Sequence, residues 1–392
     1  MFKIQTLNKI SDTGLDILPR KDFEIASEIS NPDAIIVRSY KMHDMDIPES
    51  VAAIARAGAG VNNIPLEKCT DRGIVVFNTP GANANSVKEL VIASLFLSSR
   101  RISDSIIWAK SLAGSGDEVP KLVEKGKSMF GGPEIKGKTL GVIGLGAIGV
   151  MVANDAAALG MNVTGYDPFI SVESAWGLSR DVRKAISIDS LIAESDYISL
   201  HVPLNESTRG LINREKFRIM KKGIRILNFA RGGLVNNEHL KKAAEEGIVS
   251  CYVTDFPDEE LLGIENTICI PHLGASTGEA EENCAKMAAE QIKDFLKTGS
   301  IKNSVNYPEC RMEFTGKSRI VITNRNIPNI IAQISSALAS QNINISEYLN
   351  KHKDGYAYNI IDTETDISNE TIDKIKSIEG IISVRIIDPE GI

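Results

Sequence analysis

The run Thr139-Leu140-Gly141-Val142-Ile143 passes at once into Gly144-Leu145-Gly146-Ala147-Ile148-Gly149 and then into the helical pattern AIGVMVANDAAAL. Nothing else in the chain constrains its fold as much. A strand that turns through G-x-G-x-x-G into a helix lets backbone amides and the positive helix end close around a pyrophosphate. The next strand pattern, MNVTGYD, ends on Asp167, about 20 residues on, where a carboxylate accepts hydrogen bonds from an adenosine ribose. Pro168, Phe169 and Ile170 follow it, and the first base is Arg180. A 2′-phosphate would have no cation beside it, so the expected cofactor is NAD rather than NADP.

Strand candidates TLGVIG, MNVTGYD, YISLHV, IRILNFA, VSCYVTDF and TICIP alternate with helical patterns from Thr139 to about Leu273, as a doubly wound parallel sheet requires. An earlier α/β block holds KIQTL, Ala34-Ile35-Ile36-Val37 and Val75-Val76-Phe77, followed by one long helix expected from Ser86 to about Ala109. The tract 112–132, rich in Gly, Lys and Ser, reads as surface and hinge. From about Arg319 the order becomes β-α-β-β-α-β, a small ferredoxin-like module able to fold by itself. The fold class expected is therefore α/β, with two Rossmann-like sheets and a C-terminal ferredoxin-like domain.

The net charge of -7 and the lack of a basic patch argue against nucleic acid or an anionic membrane as partner. The longest apolar stretch, Leu90 to Leu97, is far short of the roughly 20 residues that span a bilayer, and the start lacks a signal peptide's apolar region. A cytoplasmic location is expected. Five scattered cysteines, Cys69, Cys251, Cys269, Cys284 and Cys310, include no C-x-x-C pair, which argues against a disulfide framework and a metal site.

Five histidines, His43, His201, His239, His272 and His352, limit the search for a proton carrier at neutral pH. His272, after Cys269-Ile270-Pro271, stands past a strand's C-terminal end, where open parallel sheets bind ligands. Arg231, in NFARGG, stands past another. NFARGGLVN, the acidic run after TDF, PHLGAS, VRS at 37–39 and VVFNTPGANANSVKEL together resemble the signatures of the D-2-hydroxyacid dehydrogenase family.

That resemblance implies three domains: 1–98 with a returning 283–308 for substrate (flavodoxin-like), 99–282 for NAD, and 318–392 for regulation. It implies that Arg231 holds the substrate carboxylate and polarises the C2 oxygen, that His272 carries the C2 hydroxyl proton, and that a carboxylate orients the ring. The family reads Asp-Val-Phe-x-x-Glu-Pro, whereas this chain has Asp255-Phe256-Pro257-Asp258-Glu259-Glu260-Leu261. Counting from Asp255 gives Glu260; matching Phe-Pro-x-Glu gives Glu259. Cofactor contacts are implied at Gly144, Gly146, Ala147, Ile148, Gly149, Asp167, His201, Pro203, Thr208, Phe229, Ala230, Arg231, Asp255, His272, Gly274 and Ala275. Ala147 stands where the family has a larger, often basic residue, so a side-chain contact to phosphate is lost there. Substrate contacts are implied at Arg38, Ser39, Gly60 and Val61, with Arg38 the natural grip for a phosphate. The implied activity is NAD-dependent oxidation of 3-phospho-D-glycerate, at the first step of L-serine synthesis. Alternatives are reduction of hydroxypyruvate, glyoxylate or 2-oxoglutarate, and a non-enzymatic NAD(H) sensor.

The C-terminal module resembles an ACT domain, a fold that dimerises and binds an amino acid, which implies a homodimer or homotetramer with L-serine as effector. The family motif is close to His-x-Asn-Arg-Pro-Gly; here it reads Asn324-Arg325-Asn326-Ile327-Pro328-Asn329. Asn324, Asn326 and Asn344 fall at the implied effector positions, and the side chain of Asn329 obstructs close backbone approach. The other reading of the module is an assembly domain that only holds subunits together.

Overall fold

A computed structural model describes residues 1–387, folded as two compact units: Met1–Asn83 with the returning segment from Gly278, and Ala84–Thr277. The expected module runs to 392, so its last residues, 388–392, lie outside the described residues.

The first unit opens with a parallel sheet of β1 (Phe2–Leu7), β2 (Phe23–Ala26), β3 (Ala34–Val37), β4 (Ala53–Arg56) and β5 (Val75–Phe77), in the order β2-β1-β3-β4-β5. β1, β3 and β5 coincide with the apolar runs KIQTL, Ala34–Val37 and Val75–Phe77, whereas FEIA in β2 and AIAR in β4 carry few β-branched residues and give no strand signal. β3 is apolar throughout because both its faces are covered. The helix Gly278–Thr298 returns to this sheet, and Cys284, Ala285, Ala288, Ala289, Ile292 and Phe295 make one buried stripe against Ala53, Ala55 and Phe77.

The second unit is a parallel sheet of β6 (Thr139–Ile143), β7 (Asn162–Tyr166), β8 (Arg183–Lys184), β9 (Tyr197–Leu200), β10 (Ile224–Asn228), β11 (Val249–Thr254) and β12 (Thr267–Cys269). Its order, β12-β11-β10-β9-β6-β7-β8, reverses direction between β6 and β9, which makes a topological switch point there. The exposed two-residue edge strand β8 carries no apolar signal and is absent from the sequence reading.

The expected single helix 86–109 is two helices, Ala84–Ser99 and Ile102–Ser111. The hydroxyls of Ser98 and Ser99 both turn back onto the Leu95 carbonyl, competition that disturbs a helical ladder where it ends. Val87, Val91 and Leu95 share a core with Val142, Leu227 and Val253, so Ala84–Ser99 belongs to the second unit, which begins at Ala84 and not at the expected 99. The tract 112–132 is more ordered than a hinge: it holds the helix Val119–Gly126 and a Trp108–Phe130 ring pair with centroids 5.3 Å apart.

The rest of the first unit follows the expected β-α-β-β-α-β order: β13 (Ser318–Arg325), the helix Ile330–Ala339, β14 (Ile345–Lys353), β15 (Tyr356–Thr363), the helix Asn369–Lys376 and β16 (Ile381–Ile387). The sheet is antiparallel, ordered β14-β15-β13-β16. Ile320, Ile322 and Ile361 pack under the two helices. From the other face Val321, Tyr358, Ile360 and Ile387 join the core under the helix Gly278–Thr298. The module is therefore not self-contained, because one face of its sheet is buried only by the first unit's own core.

Candidate active site

At the switch point of the second sheet, Gly144 adopts φ +93° and donates its amide to the Tyr166 carbonyl at 2.9 Å. A Cβ on Gly149 would stand 2.0 Å from the Gly144 carbonyl oxygen, whereas one on Gly146 would meet nothing within 4 Å. The loop is thus closed against itself at Gly149 and open at Gly146, next to the exposed Ala147 and half-buried Ile148. The helix Ala147–Ala158 begins at Gly146 with no side-chain cap, so its first amides are available to an anion. Asp167 accepts from the Leu145 amide through Oδ2 and from the Phe169 amide through Oδ1, both at 2.8 Å. Each oxygen keeps a second lone pair for a ribose hydroxyl. These features fit a dinucleotide. Gly149→Ala is expected to weaken NADH binding at least tenfold by forcing the loop open, measured by fluorescence titration.

The neighbouring strand β9 leads to His201, whose Nε2 lies 2.8 Å from the Ser199 hydroxyl. Burial of the ring holds its pKa down to about 4, so it is neutral at pH 7. Between about pH 6.5 and 4 the unfolded chain takes up a proton at this histidine that the folded chain refuses, so stability falls with pH across that window. His201→Asn is expected to flatten that part of the melting-temperature profile. Beyond His201, Thr208 donates its hydroxyl to the Pro203 carbonyl at 2.5 Å in a turn built on Asn205. Phe229 is a core residue, so only its backbone is available to a ligand.

β10 ends at Asn228, a residue not among the expected site positions. Its Oδ1 accepts from the amides of Ala230 and Arg231, and its Nδ2 donates to the Arg231 carbonyl at 2.9 Å. This buried bracket sets the loop from which the exposed Arg231 side chain projects, Nη1 donating to the Ala230 carbonyl at 2.7 Å. Just past the end of β11 stands Asp255, 1% exposed, whose Oδ2 accepts from the Gly274 amide at 3.1 Å while its Oδ1 has no hydrogen-bond partner. Burial raises the pKa of this carboxyl, opposed by the Gly274 amide and by the positive charges of His272 and Arg231.

Past β12, His272 is exposed and held at φ +26° by its amide, which donates to the carbonyls of Asp255 and Ile270. A non-glycine residue in that conformation is strained, and such strain gathers at functional sites. Its ring lies 4.8 Å from the ring of Phe256. Glu259 and Glu260 begin a short helix capped by Asp258, and both are exposed. Among the described residues no hydrogen bond joins either to His272. The structure thus brings Arg231, Asp255, His272 and Gly274 together, with Ala275 half-buried beside them.

In the first unit, Arg38 pairs with Glu281 through Nη1 at 2.7 Å. The Ser39 amide donates to Oδ1 of Asn8 at 3.2 Å, and Arg56 Nε donates to the Arg38 carbonyl at 3.1 Å. Gly60 and Val61 lie half-buried in the loop after β4. Asn8, Arg56 and Glu281 are additions to the sequence reading. Arg56 was hidden because its strand was not recognised, and Glu281 because its partner is 243 positions away, from 38 to 281. In the C-terminal module Asn324 is fully buried and bonded to Asn359 and the Arg325 carbonyl, whereas Asn326 and Asn344 are exposed.

Residues 99–274 match the family described as D-isomer specific 2-hydroxyacid dehydrogenase, NAD binding domain. The chain is 38% identical over 321 residues to the D-3-phosphoglycerate dehydrogenase of Methanocaldococcus jannaschii, covering 79% of this chain and 59% of that one. Against the Bacillus subtilis enzyme of the same name identity is 33% over 326 residues, with 79% and 59% covered. The chain thus spans about 59% of the length of these curated relatives. It also resembles the NAD+-bound 3-phosphoglycerate dehydrogenase of Entamoeba histolytica, with a TM-score of 0.59 and 30% identity over 78% of this chain and 98% of that one. The chain belongs to the D-isomer specific 2-hydroxyacid dehydrogenases. Its glycine loop, Asp167 and the Arg231–Asp255–His272 group all lie within the segment that matches this family's NAD-binding domain. Among the described residues no helix is long and apolar enough to cross a membrane, and no group of three or more His, Cys, Asp or Glu could hold a metal ion.

Proposed function

We propose that this chain is an NAD-dependent dehydrogenase that oxidises 3-phospho-D-glycerate to 3-phosphohydroxypyruvate, the first step of L-serine biosynthesis. The observation that carries this reading is the strained His272 held on the buried Asp255, whose carboxyl also feels the charge of Arg231, at the strand ends of an NAD-binding domain. The names of the relatives support the substrate.

NAD, when bound, would supply the acceptor for the hydride leaving C2 of the substrate. Gly144, Gly146 and the first amides of the helix Ala147–Ala158 would hold its pyrophosphate and Asp167 its adenosine ribose, and Asp255 would offer the unpaired Oδ1 to a donor on the nicotinamide. Arg231 presents a planar fork of donors to the substrate carboxylate and draws electron density from the C2 oxygen. His272 takes the C2 hydroxyl proton in oxidation and returns it in reduction. Glu260, or Glu259 beside it, is the carboxylate assigned to orient the His272 ring. Arg38, with Ser39, Gly60 and Val61, receives the phosphate end.

We further assign the C-terminal module as an ACT domain that joins copies of the chain into a homodimer or homotetramer in the cytoplasm. Of the three effector positions, Asn326 and Asn344 are exposed to an amino acid, while Asn324 is already satisfied inside the sheet. Steady-state rates in the NADH direction test the whole reading. 3-Phosphohydroxypyruvate is expected to give the highest kcat/KM among itself, hydroxypyruvate, glyoxylate and 2-oxoglutarate, and L-serine to lower it. Faster turnover of an unphosphorylated 2-oxo acid would overturn the substrate, and NADH binding without any turnover would overturn the enzyme.

A further inference from the structure

Arg38, just past β3, is the cation to which the substrate reading above assigns an anionic tail, and it already holds an anion. Glu281 lies 2.7 Å away in the first turn of the helix Gly278–Thr298, where the positive end of the helix dipole also favours negative charge. The carboxylate occupies the environment a phosphate would seek. Arg56, through its hydrogen bond to the Arg38 carbonyl, adds a second guanidinium to the same edge. The buried Cys284 thiol, one turn along the helix, registers all three charges. Burial raises its pKa most, Arg38 and Arg56 draw it down, and Glu281 pushes it up.

We infer that Glu281 is a built-in competitor for Arg38, so that binding of a phosphorylated substrate is an exchange of one anion for another and Glu281 sets the enzyme's preference for tail charge. This rests on the substrate reading above. The pair is made to exchange: the two side chains are 33% and 44% exposed, and an ion pair open to water at that level holds its partners weakly. A phosphate dianion offers more charge and more acceptor oxygens to the guanidinium fork than a carboxylate does. It therefore displaces Glu281, but the displaced carboxylate stays anchored nearby on the helix and repels it. A neutral tail, such as a hydroxymethyl group, leaves the Arg38–Glu281 pair intact and does not feel the contest.

The test uses Glu281→Gln in the full chain. The KM for 3-phosphohydroxypyruvate and the inhibition constant of inorganic phosphate are both expected to fall about three- to tenfold, while the KM for hydroxypyruvate changes by less than about twofold. The gain should shrink as salt is raised from about 50 to about 500 mM, because the competing charges are exposed. In an Arg38→Gln background the same change at Glu281 should give less than about a twofold gain, the part owed to charge repulsion alone, which separates a contest for Arg38 from a general loosening of the helix. Equal shifts for the phosphorylated and unphosphorylated substrates, or a rise in the phosphate inhibition constant, would overturn the inference and leave the substrate assignment standing. Should the unaltered enzyme fail to reduce 3-phosphohydroxypyruvate at all, the substrate assignment falls and this inference with it.

Discussion

His272→Gln is expected to lower kcat/KM for 3-phosphohydroxypyruvate reduction by about 10²- to 10⁴-fold while NADH still binds. The size follows from what is removed. A positioned proton carrier contributes that range on its own, and neither of the other two imidazoles of the second unit can stand in. His201 is held neutral by burial beside Ser199, and His239 lies in the helix Asn237–Glu245, outside the Arg231–Asp255–His272 group. Gln keeps a donor and an acceptor near the ring position but cannot take up a proton at neutral pH. The loss should therefore fall on kcat more than on KM. Pre-steady-state mixing with NADH in excess would show it as a slow first turnover. A variant within about fivefold of the unaltered enzyme would remove His272 from the reaction and leave Asp255, with its raised pKa, as the acid to examine next.

The sequence was most legible where one local pattern dictates one local structure. Gly144, Gly146 and Gly149 are read from spacing alone because each has a distinct steric task, and the structure shows those tasks as a positive φ, an open approach and a 2.0 Å conflict with the Gly144 carbonyl. β6, β9, β10 and β11 were legible for a related reason: strands covered on both faces are rich in apolar residues. Less legible were β2 and β4, since Phe23–Ala26 and Ala53–Arg56 owe their state to pairing and to small residues that admit the helix Gly278–Thr298, neither of which is a local signal. The break between Ala84–Ser99 and Ile102–Ser111 has no Gly or Pro to announce it; serine hydroxyls on a carbonyl do the work. The site divides the same way. Arg231 and His272 are announced by short motifs, whereas Asn228 and Glu281 act through partners whose positions only the fold supplies.

The second large effect is expected at Asp362. Arg319 on β13 is 1% exposed and Asp362 on β15 is fully buried, and they meet in a bidentate pair, Nε to Oδ1 at 2.7 Å and Nη2 to Oδ2 at 2.9 Å. The remaining guanidinium donors go to carbonyls: Nη1 to Thr298 and Met312, Nη2 to Glu313. All five N–H groups are thereby used, and Asp362 Oδ2 also accepts the Thr315 amide. Desolvation of this pair is costly, so its net contribution need not be large. Removing one partner is a different matter, because it strands the other charge where water cannot reach. Asp362→Ala is expected to destabilise the first unit by about 3–5 kcal/mol, read as a lower denaturant midpoint. The double variant Arg319→Met, Asp362→Leu should recover most of that loss, since no charge is then left unpaired. Because Arg319 reaches from the module to the last residue of the helix Gly278–Thr298, Asp362→Ala should also expose the junction near Thr298 to limited proteolysis before the second unit unfolds. An equal loss in the single and double variants would show that shape, rather than charge, holds the module to that helix.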